Sequence, residues 1–229
     1  MLNTLRAMFR WAVSEGKLPD DATVGVTRQR IKTRTEGYRT WTNDEIDKFI
    51  DRHPSGTKPY LALMLLRDTG ARRGDAVHLG PQHIRHDLLP KSPHGYLRFV
   101  QGKTGTLVEV PVTDALQAAI EACPSNHLTF LVTSRGQPFT EAGFTNWFRD
   151  RCNEAGLPNG LSALGLHKAR ARLIAEKNGS AHAVAAVTGH KTLSGVQRYT
   201  AQYDRRKLAV EAMRGEISDV PQRIKKTTA

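Results

Sequence analysis

His167 and Arg170 stand three residues apart in Leu166-His167-Lys168-Ala169-Arg170. On a helix that spacing projects both side chains from one face, and Leu166, Ala169 and Leu173 form the apolar stripe beside them. A guanidinium offers a planar fork matched to phosphate oxygens, and an imidazole exchanges protons near neutral pH. Alone, such a pair is more often two surface side chains. Further on, Gly189-His190-Lys191 closes a short helix, and Tyr199 follows nine residues after His190. A glycine at that place permits a left-handed helix end or a close backbone approach. A tyrosine hydroxyl is a weak nucleophile at neutral pH and needs a base or nearby cations. His167 and the arginines offer both. Upstream, Thr69-Gly70-Ala71-Arg72-Arg73-Gly74-Asp75 joins two helices. Arg72 falls where a loop meets a helix start, a place suited to an anion. Asp75, one turn on, is positioned to orient a guanidinium by a charge-assisted bond. Lys103 sits at the tip of the turn Gly102-Lys103-Thr104-Gly105, where its long chain can swing to a leaving group.

Several predicted elements must carry these groups. Residues 2–16 predict a helix, with Leu5, Met8, Phe9 and Ala12 at helical spacing. A polar stretch follows, in which Arg28, Arg30, Lys32 and Arg34 alternate with other residues. In an extended chain this period puts all four charges on one side, as a solvated linker or as a strap along a phosphate backbone. Thr42-Asn43-Asp44-Glu45 is a capping box opening a helix with Ile46, Phe49 and Ile50. Helices are predicted over 58–68, from about Arg72, and over 113–122, 140–155, 167–177, 181–188 and 204–215. Between them, Val108, Val110 and Val112 alternate with Glu109 and Pro111, and Tyr96–Val100 supplies the opposing strand. The expected class is α+β, mainly helical, with a small antiparallel sheet inserted after the first helices.

Thirty-four Lys and Arg against 22 Asp and Glu give a net charge of +12. Such an excess attracts polyanions, because each neutralised phosphate releases condensed counterions. Nucleic acid is therefore the leading partner and an anionic membrane the second. A membrane is not expected: no stretch is long and apolar enough to span one, and no basic amphipathic helix carries an aromatic insertion face. Cys123 and Cys152 are too few for a disulfide framework or a four-cysteine metal site. They are expected to be buried thiols in a reducing, cytoplasmic protein. His78, His83 and His86 lack carboxylate or cysteine ligands at zinc-like spacing and are expected to be plain loop histidines. Trp147 and Phe148 are expected in a core stripe with Phe144 and Cys152.

Together the phrases DTGARRGDAVHL, LHKARARLIAE and VTGHKTLSGVQRYT, with Lys103 between them, resemble the signature boxes of the tyrosine recombinase (phage integrase) family over about residues 40–203. The resemblance implies a site-specific recombinase of a mobile element or a resolvase of replicon dimers. It implies that Arg72 and Arg170 clamp the scissile phosphate, with a further bond from His190. Tyr199 would attack phosphorus, Lys103 would be the general acid and His167 the general base, with Asp75 behind them. The register Thr-Gly-x-Arg selects Arg72 over an exposed Arg73, and the distance from His190 selects Tyr199 over Tyr203. No metal, ATP or other cofactor is implied. Self-association into a tetrameric synapse on DNA is.

The expected organisation is the last helix of a core-binding domain plus a basic linker at 1–36, a catalytic domain at 37–215 and a mobile basic tail at 216–229. Most of a core-binding domain is missing from this pattern, as in a fragment, a truncated gene or a member with a reduced arm. The alternative is then a catalytically silent DNA-binding remnant that occupies attachment sites. The helix at 204–215, with Leu208, Val210, Ala212 and Met213, is expected to dock either on a neighbouring protomer or on its own domain.

Overall fold

A computed structural model describes residues 2–27, 38–178 and 180–214. The chain divides into two compact units, Met1–Gly37 and Tyr38–Ala229. In the first, helix α1 spans Leu2–Ser14, two residues short of the predicted end. Arg6 Nη2 donates to the Val26 carbonyl at 2.6 Å, and Lys17 lies over the Trp11 ring at 4.2 Å. Leu5, Met8 and Trp11 are exposed. The predicted strap of Arg28, Arg30, Lys32 and Arg34 lies outside the described residues, as do the tail at 216–229 and the side chain of Tyr203.

The second unit opens with α2 (Asn43–Arg52), and the capping box is formed in full: Thr42 accepts from the Glu45 amide, and Glu45 accepts from the Thr42 amide. Helix α3 (Lys58–Thr69) is capped by Thr57, is buried along most of its length and ends at Gly70. A single turn, α4 (Arg73–Ala76), starts directly after Arg72. The antiparallel sheet has order β1-β2-β3, with β1 at Ile84–Arg85, β2 at Tyr96–Val100 and β3 at Leu107–Pro111. Leu97 faces Val110 and Phe99 faces Val108, all four buried. Arg98 pairs with Glu109 at 3.3 Å on the other face. The predicted alternation thus holds; the two-residue β1 is too short to leave a periodic signal.

Helices α5 (Asp114–Ala122), α6 (Glu141–Glu154), α7 (Ala163–Asn178), α8 (Ala181–Thr188) and α9 (Leu193–Ala212) complete the order. Phe144, Phe148 and Cys152 of α6 are buried, with Trp147 packed against them, as a core stripe. Trp41 and Phe49 join the same aromatic cluster and meet edge to face, 5.8 Å between centroids. Two helices start earlier than their sequence predicts. Helix α7 begins at Ala163 rather than 167, and α9 at Leu193 rather than 204, so Tyr199 is helical. Gly195 masks the start of α9 by propensity, but Val196 is fully buried in a cluster with Ile174, Ala175 and Val184, with Tyr199 packed against it. Tertiary packing outweighs the weak local preference.

Candidate active site

The candidate residues come from four places in the second unit: the end of α3, the β2–β3 turn, α7, and the passage from α8 into α9. Helix α3 stops because Gly70 adopts φ 64°, a left-handed conformation that glycine alone takes without cost. The chain then turns through Ala71 to half-buried Arg72. Arg72 Nη1 donates to Gln101 Oε1 at 2.5 Å. Asp75 does not hold this guanidinium: its Oδ1 accepts the Gly102 amide at 2.9 Å. Its second oxygen is buried without a hydrogen-bond partner among the described residues. Asp75 therefore anchors the β2–β3 turn that carries exposed Lys103. Arg73 points elsewhere, to Thr145 Oγ1 at 2.5 Å, and is exposed as expected.

His167 lies almost wholly inside the protein, at 2% exposure. Its Nδ1 donates to the Gly70 carbonyl at 2.5 Å, which leaves Nε2 as the ring acceptor. Burial pulls its pKa down from 6.5 to about 4, helped by the charges of Arg72 and His190 and opposed by the bond to Gly70. The ring is therefore neutral at physiological pH. One turn further along α7, Arg170 is half-buried beside Gly70. Burial lowers its pKa too, while the carboxylate of Asp68 works in the opposite direction. Arg170 Nε is buried with no hydrogen-bond partner among the described residues.

Helix α8 ends as α3 does, at a left-handed glycine, Gly189 with φ 67°. His190 follows. Its Nδ1 lies 2.6 Å from Thr188 Oγ1, which is itself 2.6 Å from the Val184 carbonyl. A hydroxyl has one hydrogen and a carbonyl only accepts, so Thr188 donates to Val184 and accepts from His190 Nδ1–H. Any ligand is then met through Nε2. The rings of His167 and His190 are 5.7 Å apart between centroids, and those of His190 and Tyr199 5.8 Å. His190 thus neighbours both the buried histidine and the half-buried tyrosine.

The geometry gathers Arg72, His167, Arg170, His190 and Tyr199 around the ends of α3 and α8. Lys103 shares with Arg72 and Asp75 the wall of a cleft of about 980 Å³ that extends to Thr145 and Arg149 of α6. Asp68, Gln101 and Thr188 were not singled out by their sequence. For Gln101 a signal was present: it continues the inward series Leu97, Phe99, and a polar residue at an inward position needs partners. Among the described residues no group of three or more His, Cys, Asp or Glu is placed to hold a metal ion. Nor is any of their helices long and apolar enough to cross a membrane.

The sequence model of the phage integrase family matches residues 40–206. No curated protein matches the chain. Among solved structures, a lambda integrase(75-356) dimer bound to a COC' core site is similar with a TM-score of 0.68 and 24% identity over 97% of this chain and 75% of that one. A lambda integrase (residues 75-356) bound to DNA matches with a TM-score of 0.64 at 25% identity, covering 87% of this chain and 71% of that one. The XerA recombinase is similar with a TM-score of 0.60 at 16% identity, covering 76% and 65%. Against a longer lambda integrase chain, this one spans 61% of the length.

Proposed function

The chain belongs to the phage integrase family of tyrosine recombinases, and from that premise we propose that it cuts and rejoins double-stranded DNA through a covalent link on Tyr199. One observation carries this reading: two guanidiniums, two histidines and a tyrosine converge at the ends of α3 and α8. In the proposed reaction Arg72 and Arg170 hold the nonbridging oxygens of the scissile phosphate. His190, with Nδ1–H committed to Thr188, adds a bond from Nε2, which bears a hydrogen only in the protonated ring. Tyr199 Oη forms a bond to phosphorus as its proton passes to the neutral, accepting His167. The bond from phosphorus to the 5′ oxygen breaks, and Lys103 protonates that oxygen. The products are a 3′-phosphotyrosyl link and a 5′-hydroxyl.

A 5′-hydroxyl of a second strand then reverses the step and frees Tyr199. One phosphodiester is exchanged for another, so the balance needs no ATP, and cationic side chains supply the charge stabilisation that dominates phosphoryl transfer. The net charge of +12 suits a DNA partner. One solved relative is a lambda integrase tetramer bound to a Holliday junction; assembly of this chain into a tetramer on two DNA sites is part of the proposal.

The test is a denaturing trap. Protein is mixed with a pool of nicked duplexes of randomised core sequence, quenched with SDS and assayed for protein–DNA adduct beside Tyr199→Phe. The expected result is adduct from the wild type alone, with equal duplex affinity for both, and sequencing the trapped DNA identifies the site. Adduct from Tyr199→Phe would refute the assignment of the nucleophile. Binding without any adduct from the wild type would favour a DNA-binding protein without chemistry.

A further inference from the structure

Building on the recombinase reading above, we propose that Gln101 is a positioning residue that locks Arg72, the Lys103 turn and the Gly189-His190 loop into one geometry. Its side chain is 1% exposed. Its Oε1 accepts from Arg72 Nη1 at 2.5 Å and from Thr104 Oγ1 at 2.8 Å, which fills both lone pairs. Its Nε2 donates to the Thr188 carbonyl at 2.9 Å. The two donors on one side and the carbonyl on the other fix which way the amide points. The backbone of Gln101 joins in: its N–H donates to the Thr106 carbonyl and its carbonyl accepts from Gly105, closing the turn with Lys103 at its tip.

A second observation is independent of these bonds. A Cβ built on Gly189 would lie 2.5 Å from the Gln101 amide carbon and nitrogen. Gly189 must therefore lack a side chain for Gln101 to occupy its place, and His190 is the next residue along. One amide thus touches a phosphate-clamping arginine directly. Through one or two peptide units it also fixes the proposed acid and the proposed histidine donor. A hydrophobic side chain could fill the space, but it could not hold a guanidinium, a hydroxyl and a helix-end carbonyl at once.

The variants are Gln101→Met, which keeps length and volume, and Gln101→Glu, which keeps the shape and the acceptor but sets a carboxylate against the Thr188 carbonyl. Single-turnover adduct formation on the nicked duplex pool is measured at saturating DNA, with duplex affinity and Tm determined in parallel. Misplacing reacting groups by an ångström costs about 10²-fold, so Gln101→Met should lose about that much rate per folded molecule, with duplex affinity within about threefold of wild type. Gln101→Glu should fold and still lose at least about tenfold, because its carboxylate competes with the scissile phosphate for Arg72. Wild-type rates in a folded variant would overturn the proposal, since a purely structural residue changes Tm and not the rate. NMR signals of the Arg72 guanidinium and the Gly189 amide supply a readout that needs no activity. Both should shift in Gln101→Met, and unchanged signals would overturn the proposal. If the wild type forms no adduct, the recombinase reading fails and the NMR comparison alone decides whether Gln101 positions these groups.

Discussion

Protonating His167 should cost the fold dearly. Its ring is nearly sealed from water, donates Nδ1–H to the Gly70 carbonyl and faces the positive charges of Arg72 and His190. A folded pKa of about 4 against 6.5 for an exposed ring means that the unfolded chain binds more protons between these values. Stability is then complete above about pH 6.5 and is lost as the pH falls towards about 4. The gap corresponds to about 3 kcal/mol at most, and lowering the pH from about 7 to about 5 should release about 2 kcal/mol of it. The measurement is urea unfolding of the wild type and His167→Gln at both pH values. Glutamine retains an N–H for Gly70 and does not titrate, so the difference between the two pH responses isolates this ring from every other histidine. The wild type should lose about 2 kcal/mol more than the variant. Parallel losses, within about 0.5 kcal/mol, would show that burial does not depress the pKa of this ring and would refute the reasoning.

Other outcomes follow from single contacts. Thr188→Val keeps the buried shape and removes the hydroxyl that orients His190; adduct formation should fall about tenfold with duplex affinity unchanged, a loss of about one hydrogen bond. Asp75→Ala frees the Gly102 amide and loosens the Lys103 turn. Its defect on ordinary duplexes should largely disappear on duplexes with a 5′-bridging sulfur, a leaving group that needs no acid. Affinity for random duplex, measured by fluorescence anisotropy, should fall steeply between about 50 and 200 mM salt; a flat response would contradict a phosphate-dominated interface.

Much of the frame was legible because its signals are local. The capping box at Thr42 and Glu45 is two side chains and two amides within four residues, and the Val108 and Val110 alternation reports a half-buried strand directly. Helix α8 is bounded by Ser180 and Gly189 and spans the predicted 181–188. The start of α9 was not legible, because Gly195 is a poor helix former and the compensating burial of Val196 comes from α7 and α8. The types of the candidate site residues could be read from their spacing, but their partners could not. Arg72 finds Gln101 29 positions away, Gln101 finds Thr188 87 away, and His167 finds Gly70 97 away. Asp75 illustrates the limit: proximity in sequence suggested Arg72 as its partner, whereas the fold brings the Gly102 amide to it instead.

The two left-handed glycines explain why the site forms at helix ends at all. An α-helix leaves its last carbonyls without intrahelical partners, and these must be satisfied when the end is buried. At the end of α3 the Gly70 carbonyl takes the Nδ1–H of His167, and at the end of α8 the Thr188 carbonyl takes the Nε2–H of Gln101. Each helix thus orients a polar side chain of another element with a group it had to satisfy anyway. Each stop also turns the chain so that a cationic or proton-donating residue follows within two positions, Arg72 after Gly70 and His190 after Gly189. A Cβ at Gly70 would lie at ordinary contact distances, 3.4 Å from Arg170 Cγ and 3.7 Å from Thr188 Cγ2, so the left-handed φ calls for glycine there, whereas at Gly189 the Gln101 amide takes the space of a Cβ. Adding a methyl group at Gly70 would strain the left-handed turn, whereas at Gly189 it would also displace the amide that holds Arg72. The two guanidiniums thus meet the fold at different helix ends, Arg170 beside Gly70 and Arg72 through the Gln101 amide packed on Gly189.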